Sequence, residues 1–470
     1  MRRISRTVIF NRLGAEPKSG KLRATQARGL LSASAAILTV AAAPAAFATN
    51  FSCQTAGGSW TTAGNWTACN GTFPDNGGGN TYDATITSGN STLTSAVTVD
   101  NVTVNGDWSI AAPGSTITLN NALTNSGGTF IDASGGQGGS SLNIGTNLTN
   151  SNLFDIGVTN LSASTNVTVA GTLANTGGTI NLQGNATSGT TDQATLNIQG
   201  AMPTTVAGNI NVSGDALLQV TNGITAIGSG AQLSLGGAQS RVSIGSGTTN
   251  SALAGLASNA GNFFLQGNSG FGAGGATVTT TTGFTNTGTV GIDEFGGQGG
   301  STFNIGGALT NSGTSNIGVT NLSASTNVTA TGLANSGTIT TVGSSTTNVA
   351  NLTVNGAAGN SGTTNIEGFS NLTVNGAGNA YAQTAGTTNV FTNGTLTAPN
   401  VNVTGGTLRG DGTVIGNLNV NSAGTVEGVN PNNGNPDALT VNGSYNQTGG
   451  ALAALLQGTG AGQIGQVHLT

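Results

Sequence analysis

The feature that most narrows the folds open to this chain is a five-residue unit that returns at a nearly fixed interval. Leu123-Thr-Asn-Ser-Gly127, Leu148-Thr-Asn-Ser-Asn152 and Leu173-Ala-Asn-Thr-Gly177 follow one another at a constant spacing of 25. The unit returns as Phe284-Thr-Asn-Thr-Gly288, Leu309-Thr-Asn-Ser-Gly313 and Leu333-Ala-Asn-Ser-Gly337, at spacings of 25 and 24. A longer duplication encloses it. Ile156 to Thr168 is identical to Ile317 to Thr329, and the Gly-Gly-Gln-Gly-Gly-Ser run at Gly135 recurs at Gly296, both at an offset of 161. A fold that tolerates copying of a multi-repeat block is one in which each repeat touches only its neighbours.

Within each repeat, apolar residues alternate with polar ones over short runs. Asn351-Leu-Thr-Val-Asn-Gly356 recurs unchanged from Asn371 to Gly376, and the same alternation marks Val102/Val104, Leu142/Ile144, Leu196/Ile198, Phe303/Ile305, Val401/Val403, Leu418/Val420 and Leu439/Val441. Period two is the signature of a strand with one buried face. Gly, Asn and Ser follow nearly every run and supply turns. Short strands and polar turns in a 20–25-residue period predict one coil of a β-solenoid per repeat. The expected fold is all-β, a right-handed parallel β-helix over 85–470. About 17 coils stacked at about 4.8 Å would make a rod ~80 Å long. Asn stacked at turn positions is expected to form side-chain amide ladders.

Composition agrees. Glycine is 80 of 470 residues, charged residues are 5% and aromatics 4%, which suits strands and turns better than helices. The charge is lopsided: Arg2, Arg3, Arg6, Arg12, Lys18, Lys21, Arg23 and Arg28 hold eight of the ten cations. They precede an apolar run from Leu30 to Ala46 that ends in Ala46-Phe47-Ala48. Residues 1–48 therefore read as a secretory signal with an extended basic region, cleaved between Ala48 and Thr49. The run is short and broken by Pro44, which argues against a membrane anchor, and no later stretch is long enough to span a bilayer as a helix. Beyond Thr49 only Arg241 and Arg409 face fourteen acids. Nucleic acid and anionic membranes are accordingly poor partners.

Residues 49–84 differ from the rest. They hold Trp60, Trp66, Pro74 and both cysteines, and are expected to form an N-terminal cap rather than a regular coil, covering an otherwise open sheet edge. Cys53 and Cys69, sixteen apart in an exported chain, are expected to form a disulfide.

The run from Val401 to Val414, with Gly416-Asn-Leu-Asn-Val420, Ala423-Gly-Thr-Val426 and Leu439 to Tyr445, resembles the passenger repeats of bacterial autotransporter-type surface proteins. Gly58-Ser-Trp60, Gly64-Asn-Trp66, Pro74 and Tyr82 to Ile86 are similar to the opening segment of repeat-rich exported proteins. The resemblance covers nearly all of the chain after the signal. It implies a β-helix at the cell surface or outside the cell, associated with the outer membrane and adhesin-like. It specifies no biochemical activity. Such a passenger is followed by a membrane β-barrel, and no barrel-like pattern follows Tyr445. The expectation is a truncated chain, or one released or held by a partner, whose last strand at Gln466–Leu469 frays or pairs end to end with another copy.

No catalytic constellation stands out, and no cofactor or metal is expected. His468 is the sole histidine and cannot by itself build a triad or a histidine-rich metal site. A β-helix polysaccharide lyase needs a basic group, and only Arg241 and Arg409 remain. A glycoside hydrolase needs two carboxylates at a set separation; Asp293 and Glu294 are adjacent and would point apart on a strand or be solvated on a turn. Asp132 and Asp155 fall in different coils and could approach one another, as could many other pairs, so that nothing selects one pair. Arg409-Gly410-Asp411 spells an integrin-type tripeptide but sits in a repeat frame. The glycine runs at Gly135 and Gly296 lack the lysine of a phosphate loop and the regular Asp of calcium-binding repeats. The expected function is non-enzymatic: binding to a glycan, to a host or abiotic surface, or to itself. The alternative is a β-helix lyase or hydrolase.

Overall fold

The computed structural model describes residues 48–186, 192–267, 270, 274–457 and 464–470. The segment read as a secretory signal lies, up to residue 47, outside them. Ala48 and Thr49 are exposed, and Thr49 opens the first strand of the described residues, Thr49–Thr55.

Each coil contributes strands to up to three faces, taken in the same order every time. Residues 123–150 show the pattern: Leu123–Asn125 on face one, Gly128–Ile131 on face two, Ser141–Ile144 on face three, then Leu148–Asn150 back on face one. Every pairing between these strands and their copies in neighbouring coils is parallel and in register. Leu123 stands beside Leu148, Gly128 beside Leu153, and Leu142 beside Val167. Face two is the continuous one. Seventeen of its strands run from Gly58–Ser59 to Ala451–Ala453 among the described residues, matching the expected number of coils. The fold is a parallel β-helix.

Coils vary in length without losing register. On face two, Gly128 pairs with Leu153, Thr179 with Asn209, and Thr407 with Thr425, sequence steps of 25, 30 and 18. The slack is taken up in the loops and turns between strands, where insertions leave the paired strands untouched. In the shortest coils the turn between faces three and one vanishes: Thr395–Val403 and Thr413–Val420 run across both faces.

Alternation places one side of each strand inside. Leu123, Leu148, Leu142, Ile144, Phe154 and Ile156 are all at most 1% exposed. The repeated unit also carries asparagine inward, which corrects the expectation that Asn stacks in turns. In Leu-Thr-Asn the first and third residues share a face, so Asn125 is as buried as Leu123. The Asn125 Nδ2 donates to Asn150 Oδ1 (2.7 Å), and Asn150 Nδ2 donates to Asn175 Oδ1 (2.7 Å). Val206 and Ile227 occupy the intervening rungs. The ladder then resumes through Asn259, Asn286, Asn311, Asn335 and Asn360 at 2.8 Å per step, ending on Gln383 Oε1 at 2.9 Å. A buried amide costs free energy unless paired, and here each one finds its partner in the next coil.

The seam reaches across the core at Tyr381. Its hydroxyl meets Thr388 Oγ1 at 2.6 Å, inside a fully buried site. Burial pushes the phenol up to about 12, against the opposing pull of hydrogen bonds to Thr388, Thr364 and Asn360. Because the folded value lies above the ordinary one of about 10, Tyr381 favours the fold in its neutral form. That contribution is whole below about pH 10 and is lost as pH rises towards 12. Tyr381→Phe is expected to flatten the fall in melting temperature across this window; an unchanged slope would refute the assignment.

Residues 49–84 depart from the expected cap. Thr49–Thr55 pairs in register with Asn80–Ile86, and Gly58–Ser59 with Ser91–Thr92, so two of three faces already exist in the first coil. Cys53 occupies the inner row of face one beside Ala84 and bonds to Cys69. The loop after Ser59 folds its aromatic residues inward. Trp60 stacks on Trp108 with centroids 5.5 Å apart and meets Trp66 edge-on at 4.7 Å. Trp60 Nε1 donates to Pro74 O at 3.0 Å, and Trp66 Nε1 donates to Trp60 O at 2.7 Å. The segment is thus a first coil with a tryptophan-lined plug. Replacing both cysteines by serine opens a loop of 16 residues and is expected to cost about 3 kcal/mol. Tryptophan fluorescence should then report melting of this end before the far-ultraviolet signal of the strands; coincident transitions would count against a separable plug.

At the other end of the described stack, Gln466–Leu469 pairs with Ala438–Val441. Leu452, Leu456 and Leu469 nearby are exposed.

Candidate functional site

In-register stacking lines up side chains from coils that are far apart in sequence. One outward row of face two reads Phe130, Asp155, Asn181, Asn211, Ser234, Phe264 and Gly291, one residue per coil. Its polar stretch floors a groove of ≈ 440 Å³. Gln183 and Gln266 line one side of this groove and Gln232 the other. Among the described residues lining it there is no lysine, arginine or histidine, and Asp155 is the one carboxylate.

The amides of the groove are wired to one another. Asn181 Nδ2 donates to Asp155 Oδ1 (2.8 Å), Asn211 Nδ2 to Asn181 Oδ1 (2.8 Å), and Gln232 Nε2 to Asn211 Oδ1 (2.7 Å). Burial pushes the Asp155 carboxyl up from its ordinary value, and the Asn181 amide pulls it partly back. A primary amide has two N–H donors and two acceptor lone pairs. Asn181 and Asn211 each spend one N–H on the rung before it and keep a second N–H and a second lone pair.

Glycines shape the aromatic flanks of the row. A side chain at Gly128 would strike the Phe130 ring at 2.5 Å, and one at Gly291 would strike the Phe264 ring at 2.7 Å. Phe264 meets the half-exposed Phe295 edge-on, with centroids 5.9 Å apart.

The other acids singled out from the sequence lie elsewhere and do other things. Asp132 and Asp293 are fully buried with φ of 50° and 52°, a backbone state that Asp tolerates better than most residues. Asp293 Oδ1 accepts from Gly267 N (2.8 Å) and Ser301 Oγ (2.7 Å), and its Oδ2 from Ser301 N (2.9 Å) and Thr326 Oγ1 (2.6 Å). Asp132 repeats three of these contacts with Ser140 and Thr165. Each aspartate ties down the glycine-rich loop between itself and its serine, so those loops are structural. Asp132 points inward and Asp155 outward, and they do not form a pair. Glu294 also points away from Asp293, accepting from Asn316 Nδ2 at 2.8 Å.

The two arginines are also engaged. Arg241 Nη2 pairs with Asp215 at 2.6 Å, and Arg409 Nε donates to Asn389 Oδ1 at 2.7 Å. Arg409 and Gly410 end a strand, Gly410 facing the core, and Asp411 Oδ2 accepts from Thr392 Oγ1 and Asn430 Nδ2. The tripeptide is therefore stitched into the stack rather than displayed on a loop tip. His468 lies exposed in the strand Gln466–Leu469. Among the described residues no cluster of three His, Cys, Asp or Glu could hold a metal, and no helix is long and apolar enough to cross a membrane.

No family model matches this chain, and no curated protein and no solved structure matches it either.

Proposed function

We propose that the chain is an exported, non-enzymatic surface β-helix that works by adhesion, in the manner of the autotransporter passengers its repeats resemble. The observation that carries this reading is the amide-lined groove on face two. It is a preformed row of hydrogen-bonding groups on a stacked scaffold, and its described lining has neither a second carboxylate nor a basic group to complete an acid–base pair. Adhesion needs such a row to be rigid and outward-facing, and parallel stacking supplies both. Export is supported by the basic and apolar pattern of residues 1–48 and by the Cys53–Cys69 bond.

Asp155 favours a second reading, a glycan hydrolase or lyase, because burial raises its carboxyl towards the range useful to a proton donor. One set of measurements separates the two. Cells producing the full chain should bind antibody against it without permeabilisation and should adhere to polysaccharide-coated surfaces better than cells lacking it. The purified chain should leave a panel of polysaccharides uncut. Chain cleavage that disappears in Asp155→Asn would replace adhesion with catalysis, and the absence of surface labelling would refute display.

A further inference from the structure

Resting on the adhesive reading, we infer that the face-two groove binds an uncharged, extended glycan laid along the stacking axis, about one sugar per coil. Three features of the groove carry this. The rungs at Asp155, Asn181, Asn211 and Ser234 follow one another coil by coil, at about 4.8 Å each. An extended β-linked pyranose chain advances by nearly the same step per sugar, so the four rungs stay in phase with as many sugars. A helical glycan, or one with a longer repeat, would drift out of phase within that span.

The second feature is hydrogen-bond chemistry. Asn181 and Asn211 each spend one N–H on the previous rung, and each accepts one bond from the next coil, Asn181 from Asn211 and Asn211 from the flanking Gln232, leaving both donor and acceptor capacity. A sugar hydroxyl is itself donor and acceptor, and a row whose two central amides offer both suits it better than a ligand with one kind of group. The third feature is charge. No cation lines the groove and Asp155 stands at one end of its polar row, so a uronate or sulfated chain would meet a carboxylate with nothing to compensate it. Phe130 and Phe264 stand one rung beyond each end of the polar row, where sugar C–H faces can pack on a ring.

The test uses the full exported chain and two neutral probes, cellotetraose and chitotetraose, with an oligogalacturonate of equal length for comparison. Calorimetry should show saturable binding of at least one neutral probe, insensitive to added NaCl, and weaker or no binding of the oligogalacturonate. Asn181→Ala with Asn211→Ala should weaken binding at least tenfold, as expected when two hydrogen-bonding side chains are removed. The control pair Asn351→Ala with Asn371→Ala, an outward ladder on face three, should not. Melting curves for both pairs establish that each variant folds. Absence of binding to both neutral probes, preference for the oligogalacturonate, or equal losses in the two pairs would overturn the inference. Cell adhesion is scored in parallel. Adhesion that survives Asn181→Ala with Asn211→Ala overturns the groove assignment while leaving the adhesive reading intact. Breakdown of a neutral probe would overturn the adhesive reading and keep the groove as the glycan site.

Discussion

Asp293→Ala is expected to destabilise the stack by about 4–6 kcal/mol, the sum of orphaned buried donors and backbone strain. Four donors converge on this carboxylate: the backbone N–H groups of Gly267 and Ser301, and the hydroxyls of Ser301 and Thr326. The two hydroxyls can turn elsewhere, but the backbone donors cannot. Each orphaned buried donor costs about 1–3 kcal/mol, and bonds to a charged acceptor add to the loss. Alanine would also inherit a φ of 52°, which adds about 1 kcal/mol of strain. The Asp293→Asn variant keeps the backbone state but turns an amide N–H₂ towards donors, so it should recover only part of the loss. Denaturant unfolding of the three proteins gives the order directly. A loss below about 1 kcal/mol for Asp293→Ala, less than one orphaned donor should cost, would mean that the loop from Glu294 to Gly300 is held by something else.

The second large effect concerns the interior amide ladder. Asn311→Ala removes a side chain that donates to Asn335 Oδ1 and Thr338 O while accepting from Asn286 Nδ2 and Ser315 Oγ. The site is 0% exposed, so water cannot replace these partners without opening the coil. The expected cost is about 3–5 kcal/mol, from the orphaned groups together with the cavity left behind. Asn371→Ala deletes a superficially similar contact, Asn371 Nδ2 to Asn351 Oδ1 at 2.9 Å, but on the outer surface. There water substitutes, and the expected loss is below about 0.5 kcal/mol. The ratio of these two effects is the measurement of interest. Equal losses would show that burial contributes nothing to the ladder.

The fold was readable because a solenoid writes its geometry into spacing. The regular return of Leu-Thr-Asn-Ser-Gly is the coil, and the recurrence of Asn351–Gly356 at Asn371–Gly376 is a direct pairing on face three, Leu352 beside Leu372. The position of the asparagine ladder was also written there. Leucine and asparagine two apart on a strand share a face, and asparagine's reputation as a turn former obscured that. Tryptophan and cysteine similarly masked the alternation of Phe51, Cys53 and Thr55, which already forms the first coil. The groove was not readable. Asp155, Asn181, Asn211 and Ser234 follow at sequence intervals of 26, 30 and 23, set by turns of unequal length. Only the register, which depends on backbone pairing across coils, reveals that they form one row.

Parallel stacking has a mechanical consequence. The hydrogen bonds between coils point along the stacking axis, so tension applied along that axis opens a coil a few bonds at a time instead of shearing a whole sheet at once. Each coil of roughly 20–25 residues would then release about 70–85 Å of extended chain before its neighbour is loaded. The disulfide spans only residues 53 to 69, and the coils beyond it carry no covalent stop. Under such tension the stack yields gradually, lengthening by whole coils while those still stacked keep their rows of outward side chains in register.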